Sequence, residues 1–438
     1  MTQAMTRRNF IKIAGGTAAV ASSVGLLPRF MGKNILQPTA VEAATDADPA
    51  PDLYFGGTDG WIYLPPTPAI PPFHPDVLAP APLTTYIFGF RNVTGLTDTQ
   101  RADQKNKAQH NAPLFWIKQE TLFRIKLTNL GLALRPDLFD AHTLHWHGFR
   151  NVIPFFDGEP TGSVSVTPLH DFTYVYKAHD PGTYMYHCHV EDTEHVQMGM
   201  TGLVFVRPSQ DGNTALYPSG KYAYNDNNGS TGFDREYAMF LSEVWAEAHW
   251  ADAHIQLPEW SDYRADFAML NGRVYPDTIA PNGSIDPFNP VRDATGDLIP
   301  TPGYEHLKYQ PLSSLVKCNV GERVLLRFAN LGFKEAAMTL AGIRMRVVGK
   351  DATLMRSRDG TDTSYETETL SFDAGESFDV IFTAPAYQSA PEGYNTYMLY
   401  NRSYTRSNNL ATGGFGGQAT EIRVYPAGTL GVQAIPNT

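Results

Sequence analysis

Residues 182–203 read GTYMYHCHVEDTEHVQMGMTGL, and this stretch constrains the 438-residue chain more than any other. It holds His187, Cys188, His189, His195 and Met200. Two imidazoles and one thiolate in a trigonal set, with a weak axial thioether, are the ligands of a blue-copper centre. Cys188, His195 and Met200 supply three of those four groups. His142, in HTLHWHG at 142–148, can supply the fourth.

Strand parity sorts the ligands. Successive side chains of a β-strand point to opposite faces. His187 and His189 therefore share one face, and Cys188 takes the other. His145 and His147 share a face, while His142 has the opposite parity. His142 and Cys188 are expected on one side of a thin β-layer, completing a mononuclear copper site with His195 and Met200. His145, His147, His187 and His189 are expected on the other side, as half of a second, histidine-rich metal site. The Cys188 backbone joins the two by a short covalent route. A structural zinc site takes several cysteines or a compact Cys/His set; one thiolate with an imidazole pair and a methionine favours copper. A metal-free reading makes Cys188 a small hydrophobe and leaves the parity of the histidines unexplained.

HTLHWHG followed by HCH, then by His and Met, resembles the multicopper oxidases. His195 lies seven residues after Cys188 and Met200 twelve after it. This spacing is similar to that of two-domain laccase-like oxidases with type 1 copper in the first domain. The resemblance implies cupredoxin-like domains, copper as cofactor, and a small reductant (a phenol or a metal ion) with dioxygen as substrates. It maps His142, Cys188, His195 and Met200 onto the type 1 ligands. It maps His145, His147, His187 and His189 onto half of a trinuclear type 2/3 cluster, where such oxidases reduce dioxygen to water. Asp157, in FFDGEP, is similar to an acidic residue that relays protons in the family; the plain alternative is a turn-former before Gly158. The reductant is expected at the rim where His142 or His195 approaches the surface. The acidic residues Glu191, Asp192 and Glu194 beside His195 suit a metal-cation donor or, more simply, a solvated loop.

The rest of the chain reads as all-β. LFWIKQ, LFRIKLTNL, FTYVYKA, TYMYHCH and LVFV are short strands rich in β-branched and aromatic residues, with a turn at Asp180-Pro181-Gly182. Such spacing predicts Greek-key β-sandwich or barrel domains. Residues 46–90, rich in Pro, Asp and Gly, read as an irregular arm leading into a strand near TTYIFGF. The net charge of −11 argues against nucleic acid as a partner. At the N-terminus, Thr6-Arg7-Arg8-Asn9-Phe10-Ile11-Lys12 precedes an apolar stretch to Leu27, the pattern of a twin-arginine export signal. Residues 1–45 are expected to be that signal, and the mature protein to be periplasmic or extracellular. Cys318 reads as a core or free thiol, because a disulfide with Cys188 would consume the copper thiolate.

An internal repeat divides the chain. TLFRIKLTNLG at 121–131 matches ERVLLRFANLG at 322–332, and TYMYHCH at 183–189 matches TYMLYNR at 396–402. Two copies of one unit imply two domains: 46–208 and 236–430, with a polar linker at 209–235. His187, Cys188 and His189 become Tyr400, Asn401 and Arg402, and HTLHWHG becomes AAMTLAG at 336–342. The second domain has lost every ligand at these positions. It offers His249, His254 and His306, of which the first two, five apart in AEAHWADAHIQ, read as rim or solvent-facing residues. Three completions of the cluster stay open: a second copy across a two-fold axis, a separate polypeptide, or no cluster at all. The chain is thus an oxidoreductase, a non-catalytic blue-copper electron carrier or copper binder, or a nitrite reductase-like enzyme. The His after the Cys favours the oxygen-reducing relatives.

Overall fold

A computed structural model describes residues 51–111, 113–282, 312–410 and 413–438. Residues 1–45, expected from the sequence to be an export signal, and His306 lie outside these. Among the described residues the first half has eight strands, β1 (Leu53–Ile62), β2 (Thr85–Asn92), β3 (Phe115–Lys118), β4 (Leu122–Gly131), β5 (His145–His147), β6 (Asp171–Lys177), β7 (Gly182–His187) and β8 (Thr201–Arg207). They form two four-stranded sheets, ordered β2-β1-β4-β6 and β3-β8-β7-β5. The faces pack over an aromatic core in which Trp146 lies 4.7 Å from Tyr176 and 6.0 Å from Tyr186, ring to ring. Aromatic pairs at such spacing add to the apolar area they bury. Alternation is clean in β4, where Phe123, Ile125 and Leu127 point inward.

The irregular arm expected at 46–90 is corrected in part. β1 is a ten-residue strand inside a sheet, antiparallel to β2 and parallel to β4. Its glycines hide it from a propensity reading, since Gly weakens strands. They are there because other atoms come close. A Cβ on Gly60 would meet the Ala108 backbone at 2.8 Å.

The second half repeats this plan with β9 (Arg235–Val244), β10 (Phe267–Leu270), β11 (Val316–Asn319), β12 (Arg323–Asn330), β13 (Ala336–Leu340), β14 (Met345–Lys350), β15 (Thr353–Leu354), β16 (Tyr365–Thr367), β17 (Thr369–Phe372), β18 (Ser377–Thr383), β19 (Asn395–Asn401) and β20 (Ala419–Tyr425). One sheet runs β10-β9-β12-β18-β14-β15, with β16 paired to β14; the other runs β11-β20-β19-β13-β17. The repeat extends to register. His145 faces His187 and Trp146 faces Tyr186 between β5 and β7. Thr339 faces Tyr400 and Leu340 faces Leu399 between β13 and β19. These are the pairs the sequence alignment equates.

The two halves belong to one unit spanning Pro51–Thr438. Residues 209–235 connect them but are no loose tether: Ala223, Tyr224 and Phe233 pack with Leu325, Val348 and Ile381. Arg327, fully buried in β12, reaches Glu236 at 3.0 Å, Asp379 at 3.2 Å and the Thr183 hydroxyl of β7 at 3.2 Å. Cys318 is a buried free thiol.

Candidate metal centres

Where β7 ends, the chain turns through Cys188 and enters a short helix. Besides α1 (Asp98–Ala102) in the first half, this is α2 (Asp192–Met198), which the sequence reading did not anticipate. It accounts for the wide spacing between Cys188 and Met200. About two turns of helix carry His195, and Gly199 closes the helix with a positive φ of 115°. Met200 then returns to Cys188: the Cys188 N–H donates to the Met200 carbonyl at 3.0 Å, and the Met200 N–H donates to the His195 carbonyl at 2.9 Å.

His142, Cys188, His195 and Met200 are all fully buried. The donor atoms of His142, Cys188 and His195 lie within 4.8 Å of one another. The Cys188 sulfur is 3.2 Å from His195 Nδ1 and accepts the Thr143 N–H at 3.5 Å. Gly57 of β1, unnoticed in the sequence, flanks the site. A Cβ there would lie 2.9 Å from His142 Cδ2 and 3.4 Å from Met200 Cε. A glycine pair inside an otherwise aromatic strand was the available signal.

A metal fits this spot. Both ring nitrogens of His142 and Nε2 of His195 are buried without a hydrogen-bond partner among the described residues, and buried polar atoms ordinarily have one. Burial, followed by the nearby His195, pushes the His142 pKa well below its usual range, keeping a neutral ligand. For His195, burial acts downward, but the Cys188 thiol and the Asp140 carboxylate outweigh it and raise the ring well above its usual range. The field between sulfur and carboxylate thus welcomes positive charge, which a copper ion brings. Asp140 Oδ2 stands 3.6 Å from His195 Nε2.

His145, His147, His187 and His189 gather on the opposite side of Cys188. The donor atoms of the first three lie within 4.8 Å of one another. The His189 ring is 4.8 Å from His145 and 5.5 Å from His187, centre to centre. Burial lowers the pKa of His145 and His147, and lowers His187 to about 3. Each is therefore neutral and carries one ring proton. His145 Nδ1 meets the Asp157 carbonyl at 2.9 Å, and His187 Nδ1 meets the Cys188 carbonyl at 2.8 Å. With Nδ1–H donating, Nε2 is free for a metal, the usual way a ligand imidazole is oriented. Asp157 caps a one-turn 3-10 helix (Pro154–Phe156), with its carboxylate 3.7 Å from His145 Nδ1. Gly158 has φ +75°, and a Cβ there would collide with the Leu144 carbonyl, so the turn presses on the histidine strand.

Two expectations are corrected. His142 and His195 do not approach a rim; both have zero exposure. Glu194, half-buried, and Asp252 lie over His195 instead. Glu194 is pushed up mainly by burial, and Asp252 is raised to about 8 by burial and by Glu194. His249 is not solvent-facing: it is 1% exposed, because α3 (Ala246–Ala253) docks on the first half. His254 is half-buried, with Nε2 2.9 Å from Asp76. Neither joins a metal-donor group among the described residues.

Comparison with known proteins agrees with this architecture. Residues 113–211 match the multicopper oxidase domain model. Laccase-3 of Thanatephorus cucumeris is 23% identical over 280 residues, which is 62% of this chain and 39% of that protein. Laccase ustL of Ustilaginoidea virens is 37% identical over 85 residues, 19% of this chain and 13% of that protein. The chain thus spans well under two thirds of either laccase. The blue copper oxidase of Nitrosomonas europaea has the same fold, with a TM-score of 0.55 and 19% identity, over 85% of each chain. Residues 113–211 are thus similar to a multicopper oxidase domain, on a cupredoxin-like fold shared with a blue copper oxidase, and these likenesses imply copper as the metal.

Proposed function

We propose that the chain is a laccase-like copper oxidoreductase passing electrons from a small reductant to dioxygen. One observation carries the reading. Cys188 sits with His142 and His195 on one side, while its neighbours His187 and His189 turn toward His145 and His147 on the other. Copper bound at the first site supplies one-electron redox chemistry, and copper bound by the histidines supplies the multi-electron reduction of dioxygen.

The protein's own residues hold, insulate and connect. Full burial of His142, Cys188, His195 and Met200 excludes water from the first site. The connection between sites runs along the Cys188 backbone to its carbonyl, then across the 2.8 Å contact to His187. Asp157, beside His145, is our candidate for the residue that carries protons to the cluster. Since neither His142 nor His195 is exposed, the reductant meets an outer layer that includes Asp140, Glu191 and Glu194. Their charge favours a cationic donor, and a neutral phenol over an anion.

Thr339, Ala341, Tyr400 and Arg402 hold the matching positions of the second half, so the other imidazoles of a trinuclear cluster come from outside this chain. A second copy across a two-fold axis meets that need. The twin-arginine pattern supports export and a periplasmic or extracellular site of action. A second reading, a blue-copper electron carrier with one further mononuclear site, is favoured by the tight grouping of His145, His147 and His187, within 4.8 Å. Copper content, solution mass and oxygen uptake with a phenol and with Fe(II) decide. About five coppers per dimer with oxygen uptake supports the oxidase. About two per chain, blue but without uptake, gives the carrier. Nitrite consumption without oxygen uptake replaces both.

A further inference from the structure

The second half holds no ligand of the type 1 set, yet its polar contacts converge on the segment that holds two of them. His249 of α3 reaches across to the first half. Its Nδ1 lies 2.6 Å from the Tyr86 carbonyl of β2, and its Nε2 lies 3.1 Å from the Gln197 carbonyl and 3.4 Å from Gln197 Nε2. Burial lowers its pKa to about 4, so the ring is neutral with one proton. The shorter contact assigns that proton to Nδ1, leaving Nε2 to accept from the Gln197 amide. Gln197 Nε2 also donates to the Glu243 carbonyl of β9 at 3.0 Å. Gln197 lies in α2 between His195 and Met200.

The far end of the segment is held in the same way. Asn111 donates to the Ser242 hydroxyl of β9, accepts from the Thr201 hydroxyl at 2.7 Å, and sends its own N–H to the Gly199 carbonyl at 3.3 Å. Gly199 has no room for a side chain, because the His110 ring fills that place. Residues 197–201 are therefore tied to β9 and α3 at both ends, with Met200 between the ties.

Here directional hydrogen bonds fall on Gln197, Gly199 and Thr201, which bracket Met200, the axial ligand of the proposed site. The axial thioether is a weak, long ligand whose placement tunes a blue-copper potential, so the protein, not the metal, must fix it. We propose that His249 is a positioning residue for the type 1 site. Acting through Gln197, with Asn111 and Ser242 at the other end, it lets the second half set where Met200 and His195 stand. This rests on the type 1 reading of His142, Cys188, His195 and Met200.

The test uses the copper-loaded full chain as wild type, His249→Leu and His249→Gln, read by copper content, visible and EPR spectra, reduction potential and melting temperature. His249→Leu should keep its copper but shift the visible band and the potential. His249→Gln, whose amide can still donate to Tyr86 and accept from Gln197, should return both toward wild type. A His249→Leu protein that melts earlier but keeps the wild-type spectrum and potential overturns the proposal, leaving His249 a structural contact. If that variant does not fold, Asn111→Ala and Ser242→Ala carry the same expectation, and wild-type spectra and potentials in both overturn it. A wild type without a blue band rejects the type 1 reading itself, and this inference with it.

Discussion

His187 Nδ1 lies 2.8 Å from the carbonyl oxygen of Cys188. The residue that offers sulfur to one proposed centre thus orients an imidazole of the other. Burial holds His187 neutral, with a pKa lowered to about 3, so its single proton goes to that carbonyl and Nε2 is left free for the proposed histidine-rich site. The two proposed centres share one stretch of backbone.

Replacing the thiol should separate them. Cys188→Ser keeps the size and the buried backbone bond to Met200 but removes the soft ligand. The variant should fold, lose its blue absorption, and bind one copper fewer per chain, as absorption spectra with metal analysis would show. Retained colour would mean that another residue supplies the sulfur or that the chromophore is misassigned.

The opposite facing of Cys188 and His187 is legible in the sequence because parity is local. So is the loss of ligands at Thr339, Tyr400 and Asn401, since the repeat keeps register. What escapes is whatever depends on distant partners. β1 reads as an arm because Gly56, Gly57 and Gly60 suppress its strand signal, and the cause of those glycines lies in Leu130, His142 and Ala108. His249 reads as a rim residue because the docking of α3 on Tyr86 and Gln197 spans 163 and 52 residues. The burial of His195 beneath Asp140 and Glu194 also leaves no local pattern.

Asp157 touches His145 in two ways with different consequences. Its carbonyl orients the ring at 2.9 Å, and its carboxylate stands 3.7 Å away. Asp157→Asn keeps the first and removes the second. Copper content and colour should stay as in wild type, while oxygen uptake falls about 10²-fold or more, the usual scale for losing a proton-transfer group. Unchanged uptake would reduce Asp157 to a turn residue.

Arg327 is fully buried between Glu236 and Asp379 and also donates to Thr183 in the strand that leads to Cys188. Removing one partner of a buried ion pair leaves uncompensated charge, at a cost of about 3–5 kcal/mol. Arg327→Met should lower unfolding stability by that order in denaturant titrations. Asp379→Asn added to it should recover part of the loss, because one stranded charge is gone. A loss below about 1 kcal/mol would place the pair in the class of weak surface bridges.

Acid should destabilise the metal-free protein through two histidines outside the proposed metal sites. His110 is lowered to about 3 by burial and then by His249, and His249 to about 4 by burial. Both side chains are at most 3% exposed, and neither ring nitrogen of His110 has a hydrogen-bond partner among the described residues. An unfolded histidine takes up a proton near pH 6.5. Between that pH and about 4 the unfolded chain binds more protons than the folded one, so stability falls as pH falls. Each group contributes up to about 1.4 kcal/mol per pH unit in that window. Chelator-treated protein should therefore lose stability steeply from pH 6 to 4 in urea titrations, and His110→Phe should remove roughly half of the part due to this pair. Phe has no site to protonate, so an acid slope unchanged in His110→Phe would mean that His110 is already charged in the fold or that it titrates alike in both states.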